Sequence, residues 1–336
     1  MKIAIAILNW NGQGFLEKFL PSVIDCSPAE TAKIYVIDNA STDGSVAMLR
    51  THFPHIALIE LDKNYGFAGG YNKGLAQISA EYFVLLNSDV QVTPRWVEPA
   101  IEYMDAHKHC AAAMPKLLSY ANPDYFEYAG AAGGFIDRYG FPFCNGRLFL
   151  EVQKDCGQYN AIREIFWASG AALFVRSQVY WQCGGFDADF FAHMEEIDLC
   201  WRIKNAGYSI MYIPQSAVYH VGGGALPASS PFKTYLNFRN NLYVLYKNLP
   251  DKNFLCKLFA RMILDGVAFM KFALSRQFAD AKSVLKAHRD FYKALPSLKK
   301  KRKELQKQHK AVQHPQMYKG SIVWDFYVQG KKEIVM

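Results

Sequence analysis

Along the first ninety positions, apolar residues gather into short runs separated by polar, glycine-containing segments. Ile3–Leu8, Ile34–Ile37, Ile56–Glu60 and Tyr82–Leu86 are rich in Ile, Val and Leu and too short for buried helices, so they predict strands. Between them Phe15–Val23, Ser45–His52 and Gly69–Ser79 follow a helical period. A β-α-β-α-β-α-β order predicts a parallel sheet with right-handed crossovers. Asp43 or Ser41 suits the cap of the second helix, and Pro94 the first turn of a helix after the Tyr82 strand.

The pattern loosens from about 110 to 160, where Tyr, Phe, Gly and Pro crowd Tyr120–Phe143 and predict an irregular region or short hairpins over a pocket. It tightens again at Phe166–Val175, a predicted strand. A helix follows over Glu195–Ala206, stopped by Gly207, then short strands at Ile210–Ile213 and Ala217–Tyr219. Residues 232–249 read as a helix ended by Pro250, 254–294 hold two more helical patterns, and the end from 298 is basic and expected to be partly mobile. This divides the chain into an α/β domain over 1–250 and a helical, basic extension over 251–336.

Charge sharpens that division. The chain carries a net +8, yet residues 251–336 alone hold 19 Lys/Arg against 7 Asp/Glu, which leaves the first 250 residues mildly acidic. A basic extension calls for an anionic partner. No nucleic-acid recognition motif accompanies the charge, which leaves an anionic membrane surface, or a helix packed on the domain or on a second subunit of a homodimer. In Phe254–Leu274 the helical period gathers Leu255, Leu258, Phe259, Met262 and Phe269 on one face, bordered by Lys257, Arg261 and Lys271, and Lys299–Lys303 is a further cationic cluster. No run of eighteen uncharged apolar residues exists to span a bilayer. The seven scattered cysteines form no CxxC pair, as expected of free thiols in the cytoplasm.

The candidate chemistry sits at strand ends. In an α/β sheet ligands bind outside the carboxyl ends of the strands, where Asp38 and Asp89 fall. Asp38 reads either as an Asx-turn residue or as a ligand contact. Residues Lys63–Gly74 form a glycine-rich passage into a helix that lets backbone approach a ligand, without the P-loop or dinucleotide fingerprint. Glu195, Glu196 and Asp198 form an acidic cluster among apolar residues. Partial burial would raise a carboxyl pKa there and suit it to proton abstraction, while Arg202, four positions on, can pair with Asp198. His220 ends a strand before three glycines; with Asp89 and a diphosphate it could complete the shell of a divalent cation, Mn²⁺ or Mg²⁺ rather than zinc.

In order and spacing, Ile7–Gly12, Val36–Gly44, Asn64–Gly70, Leu86–Val90, Ser169–Ala171, Phe190–Arg202, His220 and Arg239-Asn240 resemble the family 2 glycosyltransferases of GT-A fold, in their rhamnosyltransferase-like branch. The resemblance implies a Rossmann-like, mostly parallel sheet with nucleotide-sugar binding over about 1–110 and the acceptor side over about 111–250. By the same resemblance, Asp38 would contact the base and ribose of a UDP- or dTDP-linked sugar. Asn9, Asn64, Gly66, Asn72, Asn87, Ser88 and Arg239 would line the donor site. Asp89 and His220 would be metal ligands, and Glu196 the general base, with Glu195 and Asp198 behind it. Asn87 stands where the family often has a first aspartate, and Glu196 where it usually has Asp. The implied reaction is inverting sugar transfer to a saccharide or lipid-linked saccharide in surface polysaccharide synthesis, at the inner face of the membrane. The region 120–145 and the loop 222–231 would shape acceptor recognition. A nucleotidyltransferase and an inactive nucleotide-sugar-binding module are the rival readings.

Overall fold

The computed structural model describes residues 1–222 and 230–336. The first apolar runs become strands β1 (Ile3–Asn9), β2 (Ala32–Asp38), β3 (Ala57–Glu60) and β4 (Tyr82–Asn87), with helices α1 (Gln13–Cys26), α2 (Ser45–His52) and α3 (Gly66–Leu75) between them. All four strands run parallel in the order β4-β1-β2-β3, so Asn9, Asp38 and Asn87 end at one edge. A short strand β5 (Val90–Val92) follows. Helix α4 (Glu98–Ala106) starts later than expected, with Pro99 rather than Pro94 in its first turn.

Strand β6 (Cys110–Ser119) lies in the middle of the sheet, within the stretch where the sequence pattern loosens. Alanines, Pro115 and Lys116 disguise it. Pro115 cannot donate to a ladder, and the facing strand bulges opposite Pro115 and Lys116. The buried Lys116 ammonium donates to Asp155 and Asn160. A second sheet forms from β7 (Gly134–Asp137), β8 (Pro142–Cys144), β9 (Arg147–Leu148) and β10 (Glu151–Val152).

After β11 (Arg163–Glu164), β12 (Ala172–Arg176) runs antiparallel between β4 and β6, so the main sheet is mixed beyond its parallel half. Helices α5 (Ser177–Gln182) and α6 (Glu195–Asn205) precede β13 (Ser209–His220), one bulged strand where two short ones were expected. The last part comprises α7 (Pro231–Asn248), α8 (Phe254–Leu274), α9 (Phe278–Gln308), β14 (Met317–Tyr318) and α10 (Ile322–Tyr327). It is not a loose extension: β14 joins β7 in the second sheet, and Phe291, Leu298, Met317 and Ile322 enter the main core. The end expected to be mobile from residue 298 instead continues α9. There Lys301 pairs with Asp187 and Asp189, while Arg302 is buried against Asp251 and the Tyr246 carbonyl. No helix among the described residues is long and apolar enough to cross a membrane.

Candidate active site

The ends of β1, β2 and β4 meet at one edge of the sheet. Asn9 Nδ2 donates to Asp38 Oδ1 at 2.9 Å and to Ser41 Oγ at 3.1 Å, while the Ser41 amide donates to Asp38 Oδ2 at 2.9 Å. The Asp38 carboxylate is therefore buried and oriented by its neighbours. Asn39 holds the glycine-rich passage: Nδ2 donates to Asn64 Oδ1 and to the Gly66 carbonyl, and Oδ1 accepts from the Tyr65 amide, each at 3.0 Å. Gly66 has φ +70, and a Cβ there would press on Phe191, so the turn requires glycine.

Beyond Asn87 and Ser88, the pairing of β5 with β13 sets His220 opposite Val90 and brings it to Asp89. His220 Nε2 lies 3.2 Å from Asp89 Oδ1, and Nδ1 lies 3.2 Å from Glu127 Oε2. Burial alone would lower the His220 pKa, but Asp89 and Glu127 on its two sides outweigh burial and raise it to about 10. Gly222, at φ +74, leaves the space that Glu127 occupies. Glu127 follows β6 in an aperiodic aromatic stretch, and nothing in its spacing marks it.

Helix α6 carries the acidic cluster Glu195, Glu196 and Asp198 in its first turn. The backbone before it is turned sharply, with positive φ at Phe191, His193 and Met194. Asn240 of α7 holds this turn, donating to the carbonyls of Phe190, Ala192 and His193 at 2.7–3.0 Å. Glu195 is buried, and Glu195 Oε2 and Glu196 Oε2 are both shielded from solvent without a hydrogen-bond partner. Burial pushes the Glu196 pKa up to about 7; burial, then repulsion by Glu196 and Asp198, drives that of Glu195 well above the carboxyl range. The Asn87 amide donates to the Ala171 carbonyl, and a Cβ at Gly170 would lie 4.0 Å from the Glu196 Cβ, so the Ser169–Ala171 turn connects Glu196 to the end of β4.

Other residues expected at the site serve the fold. Asp198 is fully buried among Arg202 (2.8 Å), Lys247 (2.9 Å) and Asn248 (2.8 Å). Burial opposes its charge, but Lys247 and Arg202 hold its pKa below the usual value, so it is an ion-pair anchor rather than a reserve base. Asn72 is turned to the Phe186 backbone and the Tyr180 hydroxyl, bracing α3. Arg239 donates to the carbonyls of Asp189 and Phe190 and so supports the turn before α6. The loop 222–231 falls largely on 223–229, outside the described residues. Sequence reasoning missed Glu127, and it held Asn240, Asn39 and His193 only as members of motifs, with no role given to them. His193 is held neutral, its pKa lowered to about 4 by burial and by Lys233.

Residues 4–167, which end β1, β2 and β4 at this edge, match the model of glycosyl transferase family 2. The chain carries a family 2 glycosyltransferase domain. Its relatives include the N-acetylglucosaminyl-diphospho-decaprenol L-rhamnosyltransferase of Mycobacterium tuberculosis, 26% identical over 236 residues, 65% of this chain and 75% of that protein. Rhamnosyltransferase WbbL of Escherichia coli K12 is 21% identical over 227 residues, covering 65% and 83%. Among solved structures, GalNAc-T7 with UDP, GalNAc and Mn²⁺ aligns at TM-score 0.59 and 15% identity over 75% of this chain, which spans 48% of that one. TarS 1–349 of S. aureus aligns at 0.56 and 14% identity, covering 92% and 83%. At such identities the structures establish the GT-A fold alone.

Proposed function

We propose that this family 2 glycosyltransferase moves a sugar from a UDP- or dTDP-linked donor to a hydroxyl of a saccharide or lipid-linked saccharide, with inversion. The observation that carries the reading is Glu196, whose Oε2 is shielded and without a partner and whose pKa is raised to about 7, reached from the end of the strand that leads to Asp89. A general base works best when its pKa lies close to the operating pH. Glu196 takes the proton of the acceptor hydroxyl as that oxygen bonds to the anomeric carbon, and the bond from that carbon to the diphosphate breaks on the opposite face. Nucleoside diphosphate leaves with the bonding electrons. Asn9 and Ser41 keep the Asp38 carboxylate fixed for the base and ribose.

No group of three or more His, Cys, Asp or Glu side chains among the described residues is arranged to hold a metal ion. Asp89 and His220, both buried and in contact, would hold Mn²⁺ or Mg²⁺ together with donor diphosphate and water, the ion displacing the Nε2 proton that Asp89 and Glu127 otherwise keep on His220. Bound there, the ion supplies stabilisation of the negative charge that develops on the leaving diphosphate. Glu127, against the other ring nitrogen, fixes the orientation of His220.

The names of the two rhamnosyltransferases favour a deoxysugar donor and, in the mycobacterial case, an acceptor on a polyprenyl diphosphate. We place the reaction in the cytoplasm, which suits seven free cysteines. The test is a panel of nucleoside-diphosphate sugars with metal present, reading the released products. Nucleoside diphosphate released with one donor and an acceptor supports the reading. Pyrophosphate release would indicate nucleotidyl transfer, and donor binding without turnover an inactive binding module.

A further inference from the structure

Helix α8 is built inside out. Its internal polar pair, Arg261 and Asp265, points into the protein: Asp265 is 0% exposed, and the two are joined at 2.8 Å. Arg261 also lies 3.9 Å from the Phe141 ring centroid and donates to Asn241, and Asp265 reaches His288 at 3.1 Å. These contacts fix the rotation of the helix. Leu258, expected on the outward apolar face, turns inward with them.

The opposite face is apolar and uncovered. Leu255, Phe259, Ile263, Val267, Met270 and Leu274 are between 54% and 80% exposed. At 3.6 residues per turn they fall within a sector of about 120° and extend over about 28 Å. Trp324 and Tyr327 of α10 continue the patch, for Lys271 Nζ lies 3.3 Å from the Tyr327 hydroxyl and 4.8 Å from its ring centroid. Trp and Tyr side chains of this kind favour the boundary between lipid and water.

The rim has one sign of charge. The only carboxylate in α8 is the buried Asp265, whereas Lys271 borders the apolar sector and the half-buried Lys257 lies further round, at the start of the helix. At the start of the helix an open pocket of about 440 Å³ is lined by Lys252, Asn253 and Lys257, with Val312 and Gln313 opposite. The Lys257 pKa is lowered by burial and by another cation, Arg138, a condition that an anion would relieve. A second copy docking through this face would bring its own lysines to these lysines, with no carboxylate on α8 to meet them. Anionic headgroups complement the rim while the acyl region covers the stripe.

We propose that α8 lies in the surface of an anionic lipid bilayer, with Leu255–Leu274 facing the acyl chains and Lys252 and Lys257 receiving headgroup phosphates. This moves the expected cationic contact away from Lys299–Lys303, two of whose members are used inside the protein. The inference does not depend on the transfer reaction.

The test is sedimentation of the full chain with phosphatidylcholine vesicles, with and without phosphatidylglycerol. Wild type should partition onto the anionic vesicles. Phe259→Glu/Ile263→Glu should lower that partitioning by about tenfold or more, with an unchanged melting temperature because both positions are exposed. Lys257→Glu/Lys271→Glu should remove the preference for phosphatidylglycerol. Failure of wild type to bind, or equal binding by the apolar double variant, overturns the proposal. So does a lipid-free dimer, seen by sedimentation velocity, that the same apolar double variant dissociates, since a second copy would then cover the face.

Discussion

Helix α6 begins between two acidic clusters that differ in one respect, the supply of partners. On one side Asp198 meets Arg202, Lys247 and Asn248, and Lys247 and Lys301 also reach Asp187 at 2.6 Å. On the other, Glu195 is buried and Glu196 half-buried, with no cation acting on either and each with a shielded oxygen that has no hydrogen-bond partner. The chemical groups are nearly identical and at most three residues apart, yet their pKa values move in opposite directions. Burial acts on all of them; countercharge decides which carboxyl pKa falls and which rises.

Replacing one carboxylate on each side has opposite consequences. Asp198→Ala should destabilise the fold by about 3–5 kcal/mol, because Arg202 and Lys247 remain buried with too little negative charge. Glu196→Gln should leave the melting temperature unchanged or higher while turnover falls about 10²–10⁴-fold and donor affinity holds. Thermal melts beside steady-state kinetics separate the two outcomes. An Asp198→Ala protein that melts like wild type would remove the anchor from the account.

A smaller loss follows from loosening the turn that presents the pair. Asn240→Ala frees three carbonyls from one donor and should cost about 1–3 kcal/mol, with kcat falling more than the KM for donor changes. Equal effects on both constants would mean that Asn240 serves the donor site instead. The Asp89–His220–Glu127 row predicts a change of another kind. Glu127→Gln should weaken Mn²⁺ binding about 10–100-fold, read by calorimetry in the presence of nucleoside diphosphate. Unchanged Mn²⁺ affinity would reduce Glu127 to a packing residue.

The smallest expected signal is in the pH dependence of stability. Because the Glu196 pKa is raised by folding from 4.5 to about 7, its stabilising contribution is fully present below the unfolded value and lost as pH rises through about 7. Asp198, lowered from 3.8, behaves oppositely: its contribution is present above the unfolded value and lost as pH falls through the depressed one. Melting temperature should therefore decline toward neutral pH in wild type and decline less in Glu196→Gln, with Glu195 sustaining the remainder. An identical decline in both would assign the effect to other groups.

Much of this architecture was legible in the sequence because local pattern and fold agree. The runs leading to Asp38 and Asp89 became parallel strands, β2 ending at Asp38 and β4 at Asn87, two residues before Asp89, so that both lie at one edge. The Asp198–Arg202 pair was also legible, being one helical turn apart. Lys247 and Asn248, which complete the saturation of Asp198, lie about fifty residues away, so no local pattern could separate that aspartate from Glu196. Strand β6 escaped because an alanine run with Pro115 has neither period, and its Pro is tolerated only by a bulge in β13. Periodicity found an apolar face on α8, but its rotation is fixed by Asn241, Phe141 and His288 on other segments.

Proton transfer by a carboxylate without countercharge is read in the pH dependence of kcat at saturating donor and acceptor. Glu196 must be ionised to accept a proton, so kcat should rise with pH along a single acid limb with its midpoint near 7. A profile flat from about pH 5 to 8, or a limb at the ordinary carboxyl pKa near 4, would contradict the assignment.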